Sequence, residues 1–456
     1  MSGFSPWAAS GILAGARQRL AAAVGAVVVL WLAVLWASLG VGPTTGPTAT
    51  TRAEPTAAPP APAPSPLRAV AAASSPAPGG GTYDRFGTEN QASAASVNAT
   101  GDVAFFAKLS RSESDEALFL SHAGRVLPIA RTGQQVSLGG TLTGFGDHPT
   151  PSLNASGDVA SAATIEGGRA TDAVLLWSHN GVNVIAQSGV KAPGIAGSSF
   201  FAFGGTALND VGDVAFLATV RRGRETVDAI YLARRGQVVK IAAVSDPAPS
   251  GGTFAAFGPP ALNNKGMVAF GAVVDGGSSP GGVFGGVDGS LRRIVAAGDP
   301  TPAGGVYARF SERIGLDDAG QVAFVSLLTQ GAAQGGVFIL GGSGTTVVAS
   351  LGMATASGGR FVSFGENAAL AADGRLAFIA AEEGGTGKIG VYARGPSGVA
   401  RLATVGDALA GGDKIAYVPL GAQVEAAAGG LVSFLAGIDT KLGQSEAVVL
   451  FRPVVR

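Results

Sequence analysis

A Gly-x-Val-Ala-Phe-like pentad recurs seven times in this chain, at Gly101, Gly157, Gly212, Gly266, Gly320, Gly374 and Gly430, with spacings of 56, 55, 54, 54, 54 and 56 residues. A period of that length means one supersecondary unit repeated seven times, each unit needing its neighbours to bury its apolar face. In four units an Asn or Asp stands three places before the glycine and a Phe four places after it: Asn98–Gly101–Phe105, Asn209–Gly212–Phe216, Asn263–Gly266–Phe270 and Asp317–Gly320–Phe324. Asn154–Gly157 keeps the turn with Ser161 for Phe, whereas Ala371–Gly374–Phe378 and Ala427–Gly430–Phe434 lose the Asn. Asn or Asp first and Gly fourth suit a type I turn, because the side chain caps the backbone and Gly accepts positive φ.

Each unit reads as four short strands. In the third, Phe200–Ala207 leads into the Asn209–Gly212 turn, Asp213–Val220 follows, and a polar loop precedes Ala229–Ala233 and Val238–Ala242. Such β-branched and aromatic runs split by glycine turns favour strand over helix. Pro/Gly segments separate the units, clearest at Asp246-Pro-Ala-Pro-Ser-Gly-Gly252 and Asp299-Pro-Thr-Pro-Ala-Gly-Gly305. Glycine, 72 of 456 residues, is about twice its usual share, and charged residues at 14% fall well short of the typical ~25%, as short buried strands and tight turns require. Four strands in about 54 residues match a β-propeller blade. A transmembrane β-barrel needs longer strands, of about 9–11 residues.

The ends of the repeat argue for closure. The last unit supplies its third strand at Glu446–Phe451 and has little chain left for a fourth. Leu67-Arg-Ala-Val-Ala-Ala-Ala-Ser-Ser-Pro-Ala-Pro-Gly-Gly80 resembles Leu291–Gly305, a fourth strand with its crossover. The N-terminal piece is therefore an outer strand without a blade of its own, and it completes the last one. The expected fold of residues 67–456 is all-β, a seven-bladed β-propeller closed by that strand, which leaves no open sheet edge at the junction.

Ahead of the repeats, residues 20–41 form an unbroken apolar run; as a helix it would span about 33 Å, enough for the ~30 Å hydrocarbon core. Arg17 and Arg19 precede it, so residues 1–19 are expected in the cytoplasm and the repeats outside. The run exceeds the ~7–15 apolar residues of a cleavable signal, which favours an uncleaved signal-anchor; cleavage would give a secreted protein instead. Residues 42–66 hold eight prolines, six alanines and six threonines and form an extended linker. The expected location is the cell membrane, single-pass, with the C-terminal domain extracytoplasmic.

The repeats resemble uncharacterised bacterial secreted tandem-repeat proteins marked by an Asn-x-x-Gly-x-x-x-Phe motif, over residues 67–456. The resemblance implies an exported, propeller-like protein of the cell envelope and assigns no activity or functional residue.

No catalytic constellation emerges. Cysteine is absent, which excludes disulfides and thiolate chemistry, and Lys+Arg balance Asp+Glu at 31 each, so nothing points to nucleic acid. The second-to-third loops carry most of the charge, including Arg221, Arg222, Arg224 and Glu225, and are expected to share one face with the crossovers; variable loops on a rigid scaffold are where binding resides. Asp246, Asp299 and Asp407 occupy equivalent crossover positions on that face, placed near the channel mouth. A ring of carboxylates there could hold Ca²⁺, though an Asp-Pro turn explains them more simply. No other cofactor or metal is suggested. His122 and His179 fall at equivalent turns in different units and His148 lies apart, so they read as turn and surface residues. Taken together, the sequence points to a monomeric, membrane-anchored binding or scaffold module engaging a protein, peptide or glycan. The rivals are an extracellular hydrolase or lyase, which should break the repeat symmetry with converging acids and bases, and a purely structural spacer.

Overall fold

In a computed structural model of the protein, the described residues are 65–87, 95–146, 150–287, 289–385, 388–395 and 398–453. The chain divides into Met1–Pro64 and Ser65–Arg456. The expected cytoplasmic segment, the anchor at 20–41 and the linker to residue 64 lie outside the described residues. Among the described residues no helix is long and apolar enough to cross a membrane.

The second unit is a seven-bladed β-propeller. Its sheets are antiparallel, each with an innermost strand, two central strands and an outermost one. We number the blades along the chain. Blade 1 runs from Thr82 to Arg131, blade 2 from Thr141 to Gln187, blade 3 from Ser199 to Ala243 and blade 4 from Thr253 to Ala296. Blade 5 spans Val306–Ser350, blade 6 Gly359–Thr404 and blade 7 Lys414–Phe451. The expected closure is present. Leu67–Ala72 lies antiparallel to Gly443–Phe451, with Leu67 opposite Phe451 and Ala72 opposite Ala447, and forms the outermost strand of blade 7. The join is fastened at its ends: Arg452 N donates to Pro66 O at 2.8 Å, and Ser65 Oγ donates to Ala408 O at 2.7 Å. Ser65 and Pro66, expected in the linker, thus take part in the join.

The central strands are buried on both faces because each sheet is sandwiched between two others. Val103–Ser110, for example, is buried over its first five residues without alternation. The repeat phenylalanine anchors an aromatic cluster within the blade. Phe105 stacks on Phe119 at 5.5 Å with Tyr83 and Phe86 edge-on or tilted, and Phe216 and Tyr231, Phe324 and Phe338, and Phe378 and Tyr392 repeat the stack. Offset and edge-to-face pairs of this kind add about 0.5–1.5 kcal/mol each beyond burial. Blade 2, with Ser161 in that place, uses Phe145 and Trp177 packed with Phe106 of blade 1 instead.

The loop expected at Arg221–Asp228 is not a loop. Val214–Arg222 and Glu225–Arg234 pair down to Arg222 opposite Glu225, making a long hairpin closed by a tight turn at Gly223, which has φ +63°. Thr226 and Val227 favour the extended state, and Gly223 supplies the positive φ that the turn needs.

The repeat glycine is fixed by its backbone conformation. All seven have φ between +79° and +85°. At Gly266 a Cβ would also approach the Arg234 guanidinium of blade 3 at 3.0 Å, and at Gly430 the Arg375 guanidinium of blade 6 at 2.7 Å. At these two turns an arginine of one blade therefore lies over the glycine of the next, whereas the space at Gly212 is open.

Candidate ligand site in the central channel

The repeat asparagine does more than cap its turn. Asn263 Oδ1 accepts the Met267 N–H at 2.9 Å and the Lys265 N–H at 3.1 Å, while Asn263 Nδ2 donates to the Asp317 carbonyl of blade 5 at 2.9 Å. Asn98 reaches Asn154 O at 3.0 Å, Asn154 reaches Asn209 O at 3.5 Å, and Asn209 reaches Asn263 O at 3.0 Å. The four side chains stitch five consecutive blades at the channel end. In blade 6, which has Ala371 at the motif position, Asn367 exchanges two hydrogen bonds with Val424 of blade 7. From the sequence the motif reads only as a turn. The distinguishing signal was the use of Asn rather than Asp in four of five units, since a pure turn cap accepts either.

A second tier lines the mouth. Asn264 Nδ2 donates to Asp210 Oδ2 at 2.8 Å and to Asp318 Oδ2 at 3.0 Å, joining blades 3, 4 and 5. The other carboxylate oxygens accept backbone N–H groups, Ala155 on Asp210 at 2.7 Å and Asn264 on Asp318 at 2.9 Å. These bonds fix the arc on both sides of each carboxylate.

Behind the arc lies a cavity of about 240 Å³ to which the innermost strands of all seven blades contribute, among them Ser96, Ser152, Thr206, Asn264, Asp318 and Glu425. Its floor is an arginine that crosses the axis. Arg313 of blade 5 places Nη2 2.8 Å from Glu425 Oε1 of blade 7 and donates from Nη1 to Thr150 Oγ1 of blade 2 at 2.7 Å. Neither blade adjoins blade 5, so the side chain can make these contacts only across the channel. Burial pushes the Glu425 carboxyl above its ordinary range, with the Arg313 charge opposing the shift. Asp210 and Asp318 at the mouth and the Arg313–Glu425 pair at the floor thus supply the charged side chains of this cavity. Such a pocket favours ligands that bring hydrogen-bond donors or positive charge.

The residues singled out from the sequence lie elsewhere. Arg221, Arg222, Arg224 and Glu225 are exposed at the hairpin of blade 3, on the opposite end of the blade from the Asn turns. Arg221 covers the Phe201 ring at 3.5 Å and Arg222 pairs with Glu225 at 3.3 Å. Asp246, Asp299 and Asp407 do not converge on the channel mouth. Each accepts an N–H from the end of its own outermost strand, from Ala243, Ala296 and Thr404 at 2.8 Å. Asp246 also pairs with Lys240 at 2.8 Å and Asp299 with Arg293 at 3.1 Å. Their roles are those of a turn at the blade's outer edge. Among the described residues no group of three or more His, Asp or Glu side chains is arranged to hold a metal ion. His122 is exposed and hydrogen-bonds Asp102 at 3.1 Å, His179 is exposed, and His148 lies outside the described residues.

The fold and its polar axial cavity define a seven-bladed β-propeller with a recessed site at the channel mouth on the Asn-turn face. The chain belongs to the family of unknown function DUF7453, whose profile matches residues 60–335 and 303–450. No curated protein sequence matches it significantly. Similar solved structures include the β-propeller domain of the Trilobed protease from Pyrococcus furiosus (10% identity, TM-score 0.44, 80% of this chain and 98% of that one). Another is the polysaccharide lyase Uly1 (8% identity, TM-score 0.41, 83% and 94%). A third is a puromycin-hydrolyzing peptidase from Mycobacterium tuberculosis (14% identity, TM-score 0.39, 78% and 52%), of whose length this chain spans about half.

Proposed function

We propose that the protein is a non-enzymatic binding module of the cell envelope, and that its ligand enters the channel mouth on the Asn-turn face. The observation that carries this reading is the cavity of about 240 Å³ closed from below by the Arg313–Glu425 pair and rimmed by Asp210, Asn264 and Asp318. A chemical group rich in hydroxyl or ammonium donors, such as the end of a glycan or a basic peptide side chain, matches those acceptors. The test is a thermal-shift and NMR titration of the full-length protein with oligosaccharides and short basic peptides. A saturable ligand should lose at least tenfold in affinity in Asp318→Asn and Arg313→Met, and should be indifferent to Arg222→Ala and Arg224→Ala. The reverse pattern would move the site to the opposite face and overturn the proposal.

The apolar run at 20–41, Arg17 and Arg19 before it and the proline-rich segment after it support display outside a bacterial-type membrane. The full chain should resist alkaline extraction from membranes and be cleaved by external protease. Release into the soluble fraction would exclude an uncleaved anchor.

A further inference from the structure

In six blades the chain itself turns from third strand to fourth. In blade 7 these strands come from opposite ends of the chain, and the gap between them opens into a cavity of about 320 Å³ against blade 1. The side chains facing it are Arg68 and Arg452 from blade 7 and Thr100 and Asp102 from blade 1, with Ala123, Gly101 and Gly124 completing the wall. The two guanidinium groups have little to neutralise them. Arg452 donates from Nη2 to the Thr100 carbonyl at 2.9 Å, and among the described residues Arg68 makes no ion pair or side-chain hydrogen bond. The Asp102 carboxylate is engaged by Asn98 Nδ2 at 3.2 Å, Thr100 Oγ1 at 2.9 Å and His122 Nδ1 at 3.1 Å. Blade 3 shows what is missing. There Arg234, which lies over the next turn glycine as Arg452 lies over Gly101, pairs with Asp213 of its own blade at 3.2 Å. The residue of blade 7 in the place of Asp213 is Leu431. Burial and the neighbouring Arg452 charge lower the Arg68 pKa, as expected for a half-buried cation beside a like charge.

We infer that this seam is an oxyanion site, in which Arg68 and Arg452 together hold a phosphate, sulfate or carboxylate group and thereby lock the two ends of the ring. Guanidinium forks bind such oxygens with paired, charge-assisted hydrogen bonds, and an anion between two arginines removes their repulsion. Because one arginine comes from each end of the propeller, binding and closure are coupled, and the anion stabilises the folded ring by mass action.

The test uses the full-length protein at constant ionic strength, with chloride exchanged for inorganic phosphate or, separately, acetate, followed by calorimetry and thermal unfolding. Phosphate should bind saturably and raise the melting temperature; a larger effect of acetate would identify a carboxylate as the favoured occupant. Arg452→Gln, an exposed position, should weaken binding at least tenfold, as should Arg68→Gln. Arg292→Gln, at the position in blade 4 equivalent to Arg68, should leave it unchanged. The inference fails if neither anion exceeds chloride, or if Arg452→Gln and Arg68→Gln bind like the wild type.

Discussion

Asn263 separates the two tasks of the repeat asparagine, and its substitution tests whether the blades are stitched as described. Asn263→Ala removes two hydrogen bonds within the turn and one to the Asp317 carbonyl of blade 5. At a net value of about 1 kcal/mol for each, the loss is about 3 kcal/mol. Asn263→Asp keeps both acceptor bonds, since the natural Asp317 accepts the Gln321 N–H at 2.7 Å in the same geometry, but it deletes the cross-blade donor. Met267 follows the turn where blades 1, 2 and 3 have Asp102, Asp158 and Asp213, so the new carboxylate gains no acidic neighbour there. The expected loss for Asn263→Asp is therefore smaller, about 1–2 kcal/mol. With an unfolding entropy of about 2.1 cal/mol/K per residue over roughly 390 residues, 3 kcal/mol corresponds to about 4 °C in melting temperature. Scanning calorimetry at one fixed rate, checked by urea denaturation, reads both variants. If Asn263→Asp melts with the wild type, the amide does not join the blades. If it melts with Asn263→Ala, the turn cap contributes nothing.

Deleting residues 1–73 removes the closing strand with buried Leu67 and Ala71, whereas deleting 1–64 spares it. The longer deletion should lower the urea midpoint markedly, since burying one Leu is worth about 1.5–3 kcal/mol before strand hydrogen bonds are counted; equal midpoints would mean the ring is not closed this way. Gly266→Ala combines a φ of +79° with a Cβ 3.0 Å from Arg234 and should cost about 1–2 kcal/mol or more, whereas Gly276→Ala, at φ +68° with open space around it, should cost only the backbone strain. Glu446 accepts the Phe86 N–H at 3.0 Å, yet burial pushes its carboxyl up, with the Phe86 bond and the Arg85 charge opposing. A raised folded pKa means that the ionised form is disfavoured in the fold, so Glu446→Gln should be more stable than wild type at pH 7. That advantage should shrink as the pH falls through the raised value towards about 4.3; an advantage that grows on acidification would contradict the assignment.

The architecture was legible because it is written locally and seven times over. Turn glycines, the phenylalanine after them and the Pro/Gly crossovers each speak within a few residues, and the match of Leu67–Gly80 to a fourth strand revealed the closure. The site was not legible because it depends on contacts without sequence proximity. Arg313 meets Thr150 across 163 residues, and no periodicity reports that an arginine in the bend between Val306–Phe310 and Gly315–Leu316 will cross the axis. Charge density misled at Arg221–Glu225, where composition suggested a loop but pairing with the neighbouring strand extended the hairpin. Asp246, Asp299 and Asp407 were located correctly along the chain, but their direction was set by N–H groups three residues back, which a sequence alignment of units does not display.

The pairing of Leu67 with Phe451 also sets the order in which the molecule can be made. Blades 1 to 6 are built from contiguous chain and can form as they emerge, but the seventh needs a strand synthesised some 380 residues earlier. Until the last strands arrive, Leu67–Ala72 is an unpaired apolar segment and the growing arc ends in open sheet edges, both of which invite association with other chains. Closing the ring is consequently the slow and vulnerable step of biogenesis, and the latch that finishes it is carried on the strand of the ring that is made first.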